Sequence, residues 1–158
     1  MGQQHTSVFL AFINSSNEIL TIRRSHLVRN AGKWGLPGGR SEHDEYLLNT
    51  AFREFCEETG IEMSGYPIYT THGALHVRDG NLHVIAKPWM PNPRVAADLN
   101  LLLNGNIPEG GEIDKAKWMT WTEAHSRMDI HKSLDLFVQK VPMYSFNLFD
   151  LLEDRPIL

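Results

Sequence analysis

The stretch GRSEHDEYLLNTAFREFCEETGI, residues 39–61, decides the reading of this chain. Its middle, Tyr46–Thr59, holds no glycine or proline, and Gly60 follows where a helix would stop, so a helix is predicted over Tyr46–Thr59. At about 100° per residue, Leu47, Leu48, Ala51, Phe52 and Phe55 fall on one apolar stripe that must face a core. Arg53, Glu54, Glu57 and Glu58 fall on a neighbouring arc, with Glu54 and Glu58 one turn apart and Glu57 beside them. Three carboxylates within one turn repel by a few tenths of a kcal/mol each when exposed. Beside a core they push one another's pKa upward.

A divalent cation removes that conflict. Mg²⁺ takes hard oxygen ligands, commonly one or two carboxylates completed by water and substrate phosphate. Zinc prefers nitrogen and sulfur, and an acidic Glu-x-x-Glu-Glu cluster suits it poorly. Taken by itself, the cluster reads first as a solvated acidic face, which is common on surfaces.

Working outward, Ser7–Asn14 is β-branched and aromatic and reads as a buried strand, with Ser15-Ser16-Asn17 as a turn and Glu18–Arg23 as the return strand. Ser25–Lys33 is polar and reads as a loop, and Trp34-Gly35-Leu36-Pro37-Gly38-Gly39 is rich in chain-turning residues. Beyond the helix, Glu62–Ala74 and Asn81–Met90 are predicted strands, with Asp79-Gly80 as a hairpin signal between them. Pro91–Gly111 reads as a long loop with a short ordered piece near Val95–Leu103. Lys115–Thr120 is a predicted strand, a helix is expected to open at Thr122 and run to about Met128, and Ser133–Lys140 is a second helical segment. The tail Tyr144–Leu158 is read as a last helix, packed on its own sheet or against a second copy. Strands on both sides of one central helix, with more helix at the end, give an α/β protein with helices covering a mixed sheet. No repeat or linker divides the 158 residues, so a single domain over 1–158 is expected.

Composition narrows the function classes. Fifteen Lys and Arg stand against 19 Asp and Glu, a net charge of −4, which argues against nonspecific contact with nucleic acid or anionic membrane. No stretch approaches the roughly 20 apolar residues that span a bilayer, and the first residues, MGQQHTSVFLAF, lack the basic segment of a secretory signal. Cys56 is the single cysteine, which excludes an intrachain disulfide and a cysteine-based zinc site. A cytoplasmic location is expected.

The spacing around the helix makes the pattern specific. Gly39 is followed after five residues by Glu45, and after seven more by Arg53-Glu54-Phe55-Cys56-Glu57-Glu58-Thr59-Gly60-Ile61. This resembles the Nudix hydrolase signature, G-x5-E-x7-R-E-U-x-E-E-x-G-U with U a bulky apolar residue. Every fixed position matches, and Phe55 is a mild variation at the first U. A chance match is on the order of one in 10⁸ or rarer at background frequencies. The resemblance covers Gly39–Ile61, and the preceding Trp34-Gly35-Leu36-Pro37-Gly38 is also similar to what these proteins carry there.

The resemblance implies an α/β/α sandwich around a mixed sheet. It implies a Mg²⁺-dependent hydrolase, with Mn²⁺ as a substitute, that cleaves a phosphoanhydride of a nucleoside diphosphate linked to another group. By the same resemblance, Gly39 through its carbonyl, Glu54, Glu57 and Glu58 hold the metal, and Glu54 alternatively orients the attacking water. Arg53 organises the cluster by pairing with Glu45 or a cluster carboxylate. Glu112, in a late loop before the last strand, matches the place of a general base or extra metal ligand, with Glu109 and Asp114 as competitors. Gly38 and Gly39 leave room for substrate, Arg24 or Arg23 meets phosphate, and Trp34 stacks on a base or packs in the core. His72, His76 and His83 form a histidine set, although the family's metal site uses carboxylates. Markers that accompany coenzyme A, NADH, ADP-ribose and diadenosine-polyphosphate substrates are missing, His76 standing where the ADP-ribose group has proline. A nucleoside triphosphate or nucleotide sugar is the substrate expected, with no nonspecific nucleic-acid or membrane partner and a monomer or homodimer. The alternative is a noncatalytic nucleotide sensor on the same fold, which commonly loses signature residues that this chain keeps.

Overall fold

A computed structural model describes residues 5–63, 73–142 and 147–154. The elements in chain order are β1 (Ser7–Ile13), β2 (Ile19–Arg24), β3 (Trp34–Gly35), β4 (Gly38–Arg40), α1 (Leu47–Thr59), β5 (Leu75–Asp79), β6 (Leu82–Pro88), α2 (Pro93–Leu103), β7 (Ile113–Met119), α3 (Trp121–Ser126), α4 (Lys132–Lys140) and α5 (Leu148–Asp154). The strands join in one sheet with the path β3-β2-β1-β6-β5, to which β4 adds beside β1 and β7 beside β2. The β1–β6 pair is parallel and the other pairs are antiparallel, which makes the sheet mixed.

The alternation of side chains along β1 divides the interior. Val8, Leu10 and Phe12 face one core, where Ala51, Phe52 and Phe55 of α1 and Val95, Leu99 and Leu102 of α2 meet them. Phe9, Ala11 and Ile13 face the other, closed by Trp121 and Ala124 of α3, Leu134 and Phe137 of α4, and Leu148 and Leu152 of α5. The result is the expected α/β/α sandwich. The ring of Phe12 meets those of Phe52, Phe55 and Trp89 edge-on, with centroids 5.9, 5.2 and 4.8 Å away.

The helix α1 forms where its stripe predicts and ends on Gly60, whose φ of 74° and N–H donated to the Cys56 carbonyl close the last turn. In the interval 91–111, the short ordered piece expected near Val95–Leu103 is the helix α2, which begins two residues earlier at Pro93. Its prolines lie outside the helix interior: Pro93 takes the first helical turn, where its missing N–H costs nothing, and Asn92 caps by accepting the Val95 N–H at 2.9 Å. The strand expected over Glu62–Ala74 is also corrected. Ile61–Met63 are not in a strand, 64–72 lie outside the described residues, and β5 begins at Leu75. Its position follows from the hairpin, since pairing of Asp79 with Leu82 leaves Gly80 and Asn81 as a two-residue turn, with Gly80 at φ 58°. The helix expected from Thr122 to Met128 is capped one residue earlier than its first turn suggests, by Thr120, and stops at Ser126. The short strands β3 and β4 arise from pairing to β2 and β1 rather than from composition.

Candidate active site

Three pieces of chain build the acidic site: the loop and β4 around Gly38-Gly39, the C-terminal half of α1, and the loop before β7. Glu58 belongs to the inner side of α1 and is 6% exposed. Its Oε1 accepts the Gly38 N–H at 2.7 Å, which fastens β4 to the helix. Burial pushes the Glu58 carboxyl up to about 8. The Gly38 N–H opposes that rise, the negative charges of Glu112 and Glu54 add to it, and the Arg24 guanidinium reduces it.

Glu54 lies directly over Gly39. A Cβ at Gly39 would fall 2.5 Å from the Glu54 Cδ and 2.7 Å from both carboxylate oxygens, so glycine is required here for close approach rather than for its backbone angles. Burial raises the Glu54 pKa, with Glu57 and Glu112 raising it further and Arg53 lowering it. Glycine is needed at 38 for the pairing of β4 with β1, where a Cβ would run into the Val8 carbonyl oxygen and lie 2.6 Å from the Phe9 Cα.

Arg53 organises the cluster. Its Nε donates to Glu45 Oε2 at 2.8 Å and its Nη2 to Glu45 Oε1 at 3.1 Å, a bidentate pair. Its Nη1 donates to Glu54 Oε1 at 3.0 Å and to Glu57 Oε1 at 3.2 Å, and Nη2 also reaches the Arg40 carbonyl at 3.0 Å. One guanidinium thus ties the glycine loop to two cluster carboxylates. Glu45 further accepts from the Thr50 hydroxyl at 2.7 Å and the Glu42 N–H at 2.9 Å. These donors, the Arg53 pair foremost, hold the Glu45 carboxyl down at about 2 against a smaller upward push from burial, and the same bond raises the Arg53 pKa.

Glu112 is brought into electrostatic reach of both Glu54 and Glu58 by the β2–β7 pairing. Its competitor Asp114 is instead held by Arg23, Nε to Oδ1, at 2.7 Å. A register shift between Arg23 and Arg24 separates the two arginines. Arg24 is the one whose charge acts on Glu58, while its Nε donates to the Arg29 carbonyl at 2.6 Å. Trp34 is 4% exposed, and the cations of Arg23, Lys117 and Arg127 lie 5.9, 5.7 and 5.4 Å from its ring centroid. Its ring packs in the core beneath a cleft of about 730 Å³ and presents little face to a base.

Among the described residues, the histidines form no metal set. His76 Nε2 and His83 Nδ1 share a hydrogen bond of 2.7 Å with their rings stacked, and burial lowers both pKa values. His72 lies outside the described residues. Two residues that the sequence did not mark also adjoin the site. Ser25 is tied to the loop of Glu112, and His131 caps α4 near Arg24; burial takes its imidazole down to about 4. No local pattern flags either one.

Among the described residues, no three histidine, cysteine or acidic side chains converge on a point where an ion could sit as they stand. Glu58 is turned to Gly38, and Glu54 and Glu57 to Arg53. The donor set nevertheless fits a hard cation. Glu54 and Glu58 are desolvated carboxylates whose pKa values burial raises and the negative charge of Glu112 raises further, and a divalent ion would supply the missing positive charge. No helix among the described residues is long and apolar enough to cross a membrane.

A family model described as NUDIX domain matches residues 3–141. The fold is similar to that of a MutT protein from Methanosarcina mazei Go1, at 26% identity and a TM-score of 0.54, covering 85% of this chain and 91% of that one. It is similar as well to a MutT NUDIX hydrolase from Burkholderia pseudomallei, at 19% identity and a TM-score of 0.54, with 89% and 99% covered. The NUDIX domain of Shewanella oneidensis NrtR, solved as a complex with ADP ribose, aligns at 18% identity and a TM-score of 0.56, with 89% and 88% covered. No curated protein matches the chain in sequence.

Proposed function

This chain belongs to the Nudix family, and on that premise we propose that it is a divalent-metal-dependent hydrolase acting in the cytoplasm on a nucleoside diphosphate linked to a second group. A nucleoside triphosphate or a nucleotide sugar is the substrate class proposed. The observation that carries the reading is the placement of Glu54 over Gly39 and of Glu58 on the Gly38 N–H, with Glu112 in electrostatic reach of both and Arg53 as the counter-charge of Glu54 and Glu57.

Glu57, Glu58, Glu54 and the Gly39 carbonyl would hold the cation, Mg²⁺ first and Mn²⁺ in its place. The bound ion would screen phosphate charge and lower the pKa of a water. The chain's own residues supply positioning, which is most of what phosphoryl transfer requires. Arg53 holds the Glu54 and Glu57 carboxylates in orientation and is a positioning residue. Arg24 meets the charge of a substrate phosphate. Glu112, or Glu54 in its place, accepts the proton of the attacking water. The space left by the missing side chains at Gly38 and Gly39 is filled by β1 and by Glu54, so these glycines serve the packing of the site rather than the room for substrate expected of them.

The test is product release from a panel of nucleoside triphosphates, nucleotide sugars, ADP-ribose and dinucleotides with Mg²⁺ or Mn²⁺, beside Glu57→Gln. Turnover of one class, reduced on the order of 100-fold or more in the variant, is the expected result. Silence across the panel with nucleotide still bound would replace the hydrolase by a noncatalytic sensor.

A further inference from the structure

Glu112 sits in a loop that its own sequence leaves unanchored: Gly110 and Gly111 precede it and Pro108 stands just before them. Gly110 has φ 70°, so the backbone there is free to take conformations that other residues avoid. A carboxylate placed by such a loop needs an outside anchor to hold a position within a fraction of an ångström. Ser25, the first residue past β2 and neighbour of Arg24, supplies it. Its N–H donates to the Glu112 carbonyl at 2.8 Å, and its hydroxyl donates to the Gly111 carbonyl at 2.8 Å. The hydroxyl oxygen in turn accepts the Leu27 N–H at 3.2 Å, so one side chain fastens the loop after β2 and the loop before β7 together. Ser25 is 3% exposed, buried where the two loops it joins meet beside an open cavity of about 230 Å³ lined by Leu27, Ile107, Pro108 and Ile113. Exclusion of water from such a hydrogen bond raises the cost of breaking it.

We propose that Ser25 is a positioning residue for the hydrolysis, acting by fixing the backbone of Gly111 and Glu112 so that the Glu112 carboxylate is presented to the cluster of Glu54 and Glu58. This rests on the hydrolase reading above and adds to it a residue outside the signature. The backbone bond survives substitution; the hydroxyl bond does not. Loss of the hydroxyl releases Gly111, and a displacement near 1 Å at a reacting group lowers turnover by up to about 100-fold.

The experiment is a double-mutant cycle on the full chain with Ser25→Ala and Glu112→Gln, reading kcat, KM and Tm with the substrate that the panel identifies. Ser25→Ala is expected to lower kcat by about 10- to 100-fold with KM within about twofold, and to add no further loss in the Glu112→Gln background. A purely structural role would instead lower Tm and depress both backgrounds alike, and that result overturns the proposal. Ser25→Cys, similar in size with a weak donor, runs the same cycle if the alanine variant does not fold. Impaired Glu112→Gln with unimpaired Ser25→Ala overturns the role of Ser25 alone. Normal turnover by Glu112→Gln removes the role of both, and a wild type silent on every nucleotide removes the hydrolase reading itself.

Discussion

Adjacent glycines at 38 and 39 are expected to fail in different ways when each is changed to alanine. At Gly38 the new Cβ meets main chain: the Val8 carbonyl oxygen, and the Phe9 Cα at 2.6 Å. Backbone in the centre of a paired sheet cannot step aside, so β4 must part from β1, and the Gly38 N–H that satisfies Glu58 moves with it. Overpacking of this kind costs about 1–3 kcal/mol or more, and for a domain of this size each kcal/mol lowers Tm by about 2–4 °C. At Gly39 the new Cβ meets a side chain, the Glu54 carboxyl carbon at 2.5 Å. Ordinary contact begins at 3.4 Å, so the carboxylate must retreat by about 0.9 Å, the difference of 3.4 and 2.5. That retreat strains its 3.0 Å bond to Arg53 but leaves the sheet in place. Gly39→Ala should therefore keep its Tm within about 2 °C of wild type and lose turnover by roughly 100-fold, whereas Gly38→Ala should lose several degrees. Calorimetry on both variants with the turnover assay decides it. A Gly39→Ala protein with full activity, or a Gly38→Ala protein as stable as wild type, refutes the assignment of the two glycines to different tasks.

Other outcomes follow from the same contacts. Glu45 has a folded pKa of about 2, below its ordinary 4.5, so its stabilisation is fully present above pH 4.5 and is lost as pH falls toward 2. Glu45→Gln should lower stability at pH 7 by about 1–3 kcal/mol and flatten acid unfolding between those limits, as read by Tm against pH. Glu58 is shifted the other way, to about 8, so in metal-free protein its burial lowers stability progressively as pH rises from 4.5 to 8. Metal-free Glu58→Gln should then melt above wild type at pH 8 to 9 and gain less from added Mg²⁺; a lower Tm at that pH would sink the argument. Asn92→Ala removes the cap of α2 and should cost about 1 kcal/mol, visible as a Tm lowered by about 2–4 °C with turnover unchanged.

Much of this architecture is legible in the sequence where the determinants are local. The stripe of Ala51, Phe52 and Phe55 and the stop at Gly60 define α1 because periodicity and a left-handed cap act within a few residues. The pairing of Arg53 with Glu45 follows the expected scaffold role, since both lie on one short stretch. The ordered piece near Val95–Leu103 is legible, but its helical start is masked by the prolines around it: proline opposes a helix interior, whereas Asn92-Pro93 is a start signal. The strands β3 and β4 carry no β-forming run, and they exist because β1 and β2 offer hydrogen-bonding edges. Glu112 was one of three acidic candidates, and what sets it apart from Asp114 is a register between strands distant in sequence, together with the bond from Arg23 that occupies Asp114. Trp34, read as stacking or core, lies in the core beneath three cations for a similar non-local reason.

The β2–β7 register also sets an order of assembly. The contact between Gly38 and Glu58 spans 20 residues, while those joining Thr21 to Lys117 and Ser25 to Gly111 span 96 and 86. Closing the shorter loop costs less chain entropy, and contacts of long separation are the slow ones in folding. The half of the site made by β1, β4 and α1 is joined by contacts of shorter separation, and the half that brings Glu112 must wait for the far end of the chain. A nascent or partly folded molecule would carry its acidic helix before it carried the group set against it, so any activity needing Glu112 would appear only at the last closure of the sheet.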